Sequence, residues 1–411
     1  MSKNNLPEWL PQLNVQIWIL ALGRLLSQTG TGFTLFYTPI FFVNQVGLSA
    51  TAVGLALGSA QISGIFGRFL GGSLCDSEFW GRRGTLLLSA VISAIASLVI
   101  GAASDFPSLV LGKLLIGLGY GLYWPAVEAA VADLTQEGDR SEAYALTRLG
   151  DSIGLQLGIV LAGLFISTTG AYRSLFAINC LFFLAFFGVV YFALVESYNK
   201  QGNKKEELEN QNGWLVAFSD RNFLIFVAVN ILFTFYFSQV HSTLTLYLTN
   251  FVPGNFSPGI ISALFTWHIS LSVVFQLPVT KLLNRFSRPN ALSISALLWG
   301  VGFVLIDLTG WLETGNLLLA ILSLGFLAIA GIIYGPAESA LIADLSPENL
   351  RGIYSSINSQ SWAIGFLIGP PLGGFALDSS AAVINIFWLG IALSVGIAII
   401  ILQYLDKAFE V

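Results

Sequence analysis

Long apolar segments recur along the whole chain and are separated by short polar segments. Each apolar segment is long enough, when helical, to cross the roughly 30 Å hydrocarbon core of a membrane. The pattern therefore predicts transmembrane helices throughout. We count twelve, near residues 15–42, 50–74, 85–104, 107–133, 142–169, 172–195, 221–251, 258–284, 289–310, 315–344, 353–377 and 381–405.

One polar segment, residues 196–219, is longer than the other interruptions and lies midway along the chain. It is charged and poor in apolar residues, which is typical of a flexible linker. We therefore predict an N-terminal six-helix bundle at 1–195, a cytoplasmic linker at 196–219 and a C-terminal six-helix bundle at 220–411.

The two halves carry the same motif at an offset of 211 residues, from Tyr123-Trp-Pro-Ala to Tyr334-Gly-Pro-Ala. Six predicted spans lie within this offset, and an even number returns the chain to the same side of the membrane. The predicted fold class is an all-α membrane protein with twelve transmembrane helices in two parallel-repeat six-helix bundles. Further pairs extend the repeat: Asp133 with Asp344, Arg140 with Arg351, Gly154 with Gly365 and Gly158 with Gly369.

Composition and charge agree with a membrane protein. Hydrophobic residues make up 55% of the chain and charged residues 10%, against about 25% charged in soluble domains. Most Lys and Arg residues fall in loops on the side of the two termini, which predicts that both termini are cytoplasmic. The sequence has no phosphate-binding Gly-x-x-x-x-Gly-Lys-Ser/Thr loop, no Cys/His cluster and no nucleophile–base arrangement. We therefore expect no cofactor, no metal, no nucleic-acid partner and no enzymatic activity.

Several motifs resemble those of the major facilitator superfamily, and the resemblance covers essentially the whole chain. The loop after the second span reads Gly72-Ser-Leu-Cys-Asp76-Ser-Glu-Phe-Trp-Gly-Arg82-Arg83. It is similar to the family signature Gly-x-Leu-x-Asp-Arg-x-Gly-Arg-Arg, with two additional residues and Ser77 in place of an Arg. In the fourth span, Lys113 stands where the family has an Arg.

The eleventh span, Gly365-Phe-Leu-Ile-Gly-Pro370-Pro-Leu-Gly-Gly, resembles a marker of drug:proton antiporters. That marker lies in the fifth span of the family, where this chain keeps the glycines and lacks the proline. The resemblance implies alternating access, a small-molecule substrate, a monomer with a complete pathway and a location in the prokaryotic inner membrane.

Charged residues within the N-terminal spans are the first candidate site. A charge at the centre of a membrane helix costs roughly 2.5–3.5 kcal/mol, so these residues must pair or line a water-filled cavity. Two hypotheses remain open. One is a closed salt-bridge network; the other is proton exchange on a carboxylate, or recruitment of an anion by an unpaired arginine. Helical spacing and the resemblance together suggest a cavity lined by Arg24, Gln28, Gln61, Arg68, Lys113, Glu128, Arg148 and Asp151.

The C-terminal spans contain fewer ionisable residues. Both histidines of the chain, His241 and His268, are predicted to be intramembrane, and either one titrates near neutral pH or is held by a neighbouring helix. Glu338 follows Pro336 by two residues, where a kinked helix frees carbonyl groups. We predict Glu338 as the proton site.

Two further groups have conformational roles in the alternating-access hypothesis. Charges at the cytoplasmic face are predicted either to latch the bundles or to anchor topology alone; they are Asp76, Arg82, Arg83, Asp133, Arg140, Asp344 and Arg351. Small residues and a proline are predicted either to let the two bundles slide or to serve static packing; they are Gly154, Gly158, Gly365, Gly369 and Pro370.

These observations give a leading interpretation and two alternatives. The first is a secondary active transporter that couples protons to the efflux of an amphipathic compound, with substrate, protons and the lipid bilayer as its partners. The second is a symporter or facilitator of organic anions, sugars or related metabolites. The third is a transport-inactive sensor or assembly factor.

Overall fold

The computed structural model of the chain describes residues 13–135, 139–197, 206–283, 285–347 and 350–409. Within these ranges the regular structure consists of helices, without strands, which confirms the all-α prediction. The helices are α1 (Val15–Leu35), α2 (Tyr37–Asn44), α3 (Ala50–Cys75), α4 (Gly81–Ala102), α5 (Phe106–Asp133), α6 (Arg140–Thr169), α7 (Tyr172–Ala193), α8 (Glu206–Ser219), α9 (Arg221–His241), α10 (Thr243–Asn250), α11 (Pro258–Leu283), α12 (Arg288–Thr309), α13 (Asn316–Leu345), α14 (Arg351–Leu377) and α15 (Ala381–Phe409).

Each predicted span coincides with one helix or with two consecutive helices. The first span consists of α1 and α2, and the seventh consists of α9 and α10. In both cases the second piece has 8 residues. The break in the first span therefore recurs at the equivalent place in the second half, and the sequence repeat extends to backbone geometry.

In the described part of the chain, 10 helices are long and apolar enough to span a membrane. The two predicted spans that fall short are the first, α1–α2, and the eleventh, α14. Each contains polar residues that lower its hydropathy, among them Arg24 in α1 and Asn358 in α14, and both of these side chains are buried. Polar residues of a membrane helix avoid lipid by facing the interior of a bundle, which is what these two do.

The chain divides into two compact units. Unit 1 comprises Met1–Leu48 and Leu55–Gly202, and unit 2 comprises Ser49–Gly54 and Asn203–Val411. The division at 202 and 203 falls inside the predicted linker. Residues 198–205 of that linker lie outside the described residues, and the remainder contains α8, a helix that the polar composition did not predict.

The glycine ladders make close contacts inside each unit. A Cβ at Gly154 or Gly158 of α6 would meet the backbone of α1. A Cβ at Gly365 or Gly369 of α14 would meet Thr234 or Ser238 of α9. Without a side chain, these positions let two backbones approach closely, so the observed contacts favour static packing within a bundle. Pro370 contacts a different helix. Its carbonyl lies against Gly54 of α3, and both residues belong to unit 2.

Candidate functional site

A buried polar network joins three helices of unit 2 around Glu338. The Glu338 Oε1 atom accepts a hydrogen bond from Asn358 Nδ2 at 2.6 Å and one from Asn230 Nδ2 at 3.4 Å. Asn230 Nδ2 also donates to Asn358 Oδ1 at 2.8 Å, and the Tyr334 hydroxyl donates to Asn230 Oδ1 at 2.7 Å. The other three residues of the network are all buried, with exposed fractions of 0% for Asn230, 3% for Tyr334 and 4% for Asn358.

The helices position these groups for simple reasons. Tyr334 and Glu338 are four residues apart on α13 and therefore point from the same face. Pro336 lies between them inside the helix. It removes one backbone hydrogen bond and so loosens the helix where the carboxyl group leaves it. Asn230 of α9 and Asn358 of α14 complete the network from the two facing helices.

The partners of Glu338 are all uncharged. Ser339 Oγ donates to Oε2 at 3.3 Å, and the remaining donors are the two asparagine amides. Within the described residues, Glu338 forms no ion pair with Lys or Arg. A half-buried carboxyl group with neutral donors can bind and release a proton without breaking an ion pair.

An aromatic cluster borders this network. The Tyr334 ring packs against Phe233 and Phe237, with ring centroids 5.1 Å apart in both cases. Trp362 packs against Phe237 at 5.3 Å and Phe366 at 5.9 Å. Glu338 is therefore held beside an apolar, aromatic surface.

Each of the two histidines contacts a backbone carbonyl. His241 Nδ1 contacts the backbone carbonyl of Phe237 at 2.7 Å, and His268 Nδ1 contacts the carbonyl of Leu324 at 2.9 Å. A carbonyl only accepts, so each Nδ1 carries a hydrogen. The contact of His268 is with a neighbouring helix, α13, whereas that of His241 is with its own helix, α9.

In unit 1 the central feature is the ion pair between Arg24 of α1 and Asp151 of α6. Arg24 Nε donates to Asp151 Oδ1 at 2.9 Å, and Nη2 bonds to Oδ2, so the contact is bidentate. The Arg24 guanidinium also lies 5.7 Å from the centroid of the Trp124 ring. Arg24 is 1% exposed, and its Nη1 atom has no partner in the described part of the structure.

The other predicted cavity residues of unit 1 differ in their relation to the pair of Arg24 and Asp151. Glu128 interacts electrostatically with Arg24, Arg148 and Asp151 and so belongs to the same cluster. Arg148 is exposed, and Asp151 pairs with Arg24 on another helix instead of with Arg148 on its own. Gln28 on α1 and Gln61 on α3 are half-buried.

Two cations of unit 1 stand apart from the carboxylates. Arg68 on α3 has a buried Nη1 atom without a partner among the described residues, and no acidic side chain acts on it. Lys113 on α5 likewise has no charged neighbour in the described part. These two residues are therefore candidates for the surplus positive charge of this half.

At the predicted cytoplasmic face of unit 1, Arg82 is held by two carboxylates. Its Nη1 atom donates to Asp76 Oδ1 at 2.8 Å and its Nε atom to Asp133 Oδ2 at 2.9 Å. The backbone amides of Arg82 and Arg83 donate to Glu196 at 2.9 and 3.0 Å, so this carboxylate caps the first turn of α4. Gly81 has φ +61°, and a Cβ there would collide with the Glu196 carboxyl group. Both observations explain why a glycine occupies this position.

Unit 2 repeats part of this arrangement. Arg288 Nε, at the start of α12, lies 3.8 Å from Asp344 Oδ2, at the end of α13. The equivalent pair in unit 1 joins Arg82, near the start of α4, to Asp133, at the end of α5. The structure therefore places Arg288 beside Asp344. Arg140 and Arg351 are both exposed at helix starts.

Three residues that take part in these contacts were not predicted. Asn358 lies in a polar stretch of α14 whose significance depends on a carboxyl group on a different helix. Glu196 follows the sixth span, so only the fold brings it to α4. Arg288 matches Arg82 at an offset of 206 residues, and aligning the starts of the third and ninth spans would have revealed it.

Comparison with known proteins supplies the family context. A family model described as "Major Facilitator Superfamily" matches residues 20–254 and 254–409. A Na(+), Li(+), K(+)/H(+) antiporter of Planococcus maritimus is 26% identical over 401 residues, covering 88% of this chain and 89% of the relative. Multidrug resistance protein MdtH of Yersinia enterocolitica is 25% identical over 374 residues, covering 88% of this chain and 86% of the relative.

Solved structures show the same fold at low sequence identity. The nucleoside transporter NupG superposes with a TM-score of 0.79 at 15% identity, covering 95% of this chain and 99% of that chain. A D-xylose-proton symporter gives 0.74 at 20% identity, covering 92% and 96%. Three of these four proteins are named as an antiporter, a transporter or a symporter, and none of the four is named as an enzyme.

Proposed function

The chain belongs to the Major Facilitator Superfamily, and from this premise we propose that it couples protons to the efflux of a small amphipathic compound. It is an integral, multi-pass membrane protein and a transporter. The finer statements belong to the proposal. They are that it works by alternating access as a monomer, that both termini are cytoplasmic and that it resides in a prokaryotic inner membrane.

The observation that carries the proposal is the neutral surrounding of Glu338. A coupling proton needs a group that alternates between protonated and ionised forms during the cycle. Asp151 and Asp133 are held by arginines, so protonating either would break an ion pair. Among the described residues, the hydrogen-bond donors to Glu338 are amides and a hydroxyl, which are neutral groups in both forms of the carboxyl group. The aromatic surface formed by Phe237, Trp362 and their neighbours would receive the apolar part of the compound.

A second candidate function is exchange of monovalent cations for protons. The relative from Planococcus maritimus carries that activity in its name. The Glu338 network also presents carboxylate and amide oxygens, the ligand type that hard cations prefer. Competition between a proton and a metal cation for one carboxylate would couple their movements.

One experiment tests both. Purified protein is reconstituted into liposomes that enclose a pH-sensitive dye, and a pH gradient is imposed. Separate samples receive a lipophilic cation, Na⁺, Li⁺ or K⁺, or a small carboxylate. The carboxylate tests the anion hypothesis, since Arg68 and Lys113 form no ion pair within the described part of the chain.

The matched variants are Glu338→Gln and Glu313→Gln. Glu313 lies exposed between α12 and α13, so the same chemical change there leaves transport intact. We expect the lipophilic cation to release protons in the unmodified protein and in Glu313→Gln, and to release none in Glu338→Gln. A response to metal cations alone would favour the second function. A full response in Glu338→Gln would refute the assignment of the proton site.

A further inference from the structure

An apolar groove lies on unit 2 between α9, α14 and α15, apart from the Glu338 network. Its volume is about 560 Å³. Gly365 and Phe235 line it where α14 and α9 approach each other, and Phe375 and Ile386 line it near the α14–α15 turn. The latter two side chains are 60% and 68% exposed in the complete chain, so no other part of the described protein covers them.

The groove has the length of one membrane leaflet. Its lining residues on α14 run from Gly365 to Ala376, which at 1.5 Å per residue corresponds to about 17 Å. Its lining residues on α15 run from Val383 to Ser394, an equal length in the opposite direction. Half of the roughly 30 Å hydrocarbon core is about 15 Å. The groove therefore extends from the end of α14 to about the centre of the membrane.

The lining excludes a polar ligand. Pockets for small-molecule substrates combine apolar walls with a few convergent polar groups. Here Ser394 is the one polar side chain among the lining residues, and its hydroxyl already contacts the Tyr236 hydroxyl at 2.7 Å and donates to the Ile391 carbonyl at 2.6 Å. The ligand must be satisfied by apolar contact alone.

The surroundings identify the class of ligand. Helix α15 is long and apolar enough to span a membrane, and 28% of its most apolar stretch is buried in the protein, which leaves a large apolar surface for contact with lipid. We propose that the groove binds one acyl chain of a phospholipid, from the leaflet on the side of the α14–α15 turn. The acyl chain fills the space between three helices. One of these helices, α14, carries Asn358 of the Glu338 network.

Two glycines of α15 provide a matched test. Gly390 lines the groove and Gly396 does not, and both are exposed with open space where a Cβ would be added. A leucine at either position also favours the helix relative to glycine. Gly390→Leu places a side chain in the groove, whereas Gly396→Leu places the same side chain on the open surface of the same helix.

The experiment uses the full chain in vesicles of phosphatidylethanolamine and phosphatidylglycerol. A trace of phosphatidylethanolamine carries a photoreactive diazirine midway along one acyl chain, and adducts are mapped by mass spectrometry. We expect adducts concentrated on the groove residues of α14 and α15 in the unmodified protein. Gly390→Leu loses most of that yield, and Gly396→Leu retains it. Thermal unfolding of each variant in detergent checks that it is folded.

Two results would overturn the proposal. Adducts spread evenly over all exposed apolar faces, with equal yield in Gly390→Leu, would mean ordinary solvation by bulk lipid. Loss of the groove adducts on adding a lipophilic cation would mean that the groove receives a transported compound instead of an acyl chain.

Discussion

At the scale of single residues, the pair formed by Arg24 and Asp151 dominates unit 1, because Arg24 is almost completely buried. We predict that Asp151→Ala lowers the free energy of unfolding by about 3–5 kcal/mol, since it leaves a buried, unpaired cation. Replacing both residues, as Arg24→Met with Asp151→Leu, recovers much of that loss. Thermal unfolding in mild detergent measures the effect. Arg148→Ala is the control, since Arg148 is exposed, and equal stability of Asp151→Ala and the unmodified protein would contradict the prediction.

The positions of the charged residues within the spans follow from the sequence, whereas their contacts do not. Hydropathy alone shows which spans contain Arg24, Glu128, Asp151 and Glu338, because a charge in an apolar run is conspicuous. Pairing depends on which helices are neighbours in space. Spacing along α6 placed Arg148 closest to Asp151, whereas the structure pairs Asp151 with a residue 127 positions away.

At the scale of helices, the close packing of α6 on α1 depends on Gly158. We predict that Gly158→Leu lowers the free energy of unfolding by about 1–3 kcal/mol, because its side chain would collide with the backbone of α1 near Thr29 and Gly32. Gly188→Leu on α7 is the matched control, since a Cβ there meets no atom within 4 Å. Thermal unfolding of the two variants decides the matter, and equal midpoints would show that α6 and α1 separate easily.

The first turn of α3 depends on Asp378. Its carboxylate accepts hydrogen bonds from the backbone amides of Ala50 at 2.9 Å and Thr51 at 2.7 Å, and from the Thr51 hydroxyl. Partial burial raises the pKa of Asp378, but these hydrogen bonds outweigh it and hold the pKa below the ordinary value of 3.8. A lowered pKa stabilises the folded form above that ordinary value, and the stabilisation disappears as pH falls through the lowered pKa.

We therefore predict no change in this contact between about pH 5 and pH 8. Asp378→Asn speeds hydrogen exchange at the amides of Ala50 and Thr51, because a neutral amide accepts more weakly than a carboxylate. Asp105→Asn, which alters the cap of α5, leaves those two amides unchanged. Unchanged exchange at Ala50 in Asp378→Asn would show that other groups hold this turn.

The helices themselves follow from the sequence with few exceptions. Apolar runs predict every span, because lipid requires each backbone polar group to be satisfied within its own helix. Helix α8 and the breaks after Leu35 and His241 were not predicted. All three depend on packing, which a hydropathy pattern does not show. The glycine ladders were recognised, but their partner helices were not.

At the scale of the whole molecule, the repeat gives the two units equivalent ion pairs, but these pairs differ in how exposed they are to solvent. The Arg82 side chain is 8% exposed and contacts two carboxylates, whereas those of Arg288 and Asp344 are 41% and 57% exposed. We predict that Arg288→Ala changes the free energy of unfolding by about 1 kcal/mol or less. Arg82→Ala costs more, because it leaves Asp133 and the Cys75 carbonyl without their donor. Thermal unfolding of both variants compares them, and a larger loss for Arg288→Ala would contradict this ranking.

The neutral surrounding of Glu338 also has an electrical consequence. With its proton bound, the network of amides, phenol and carboxylic acid carries no charge, and membrane voltage exerts no force on it. With the proton released, it carries one negative charge, and moving that charge through 100 mV changes its energy by about 2.3 kcal/mol. If Glu338 is the coupling site, as proposed above, its two forms would give the transporter a voltage-sensitive and a voltage-insensitive half of its cycle.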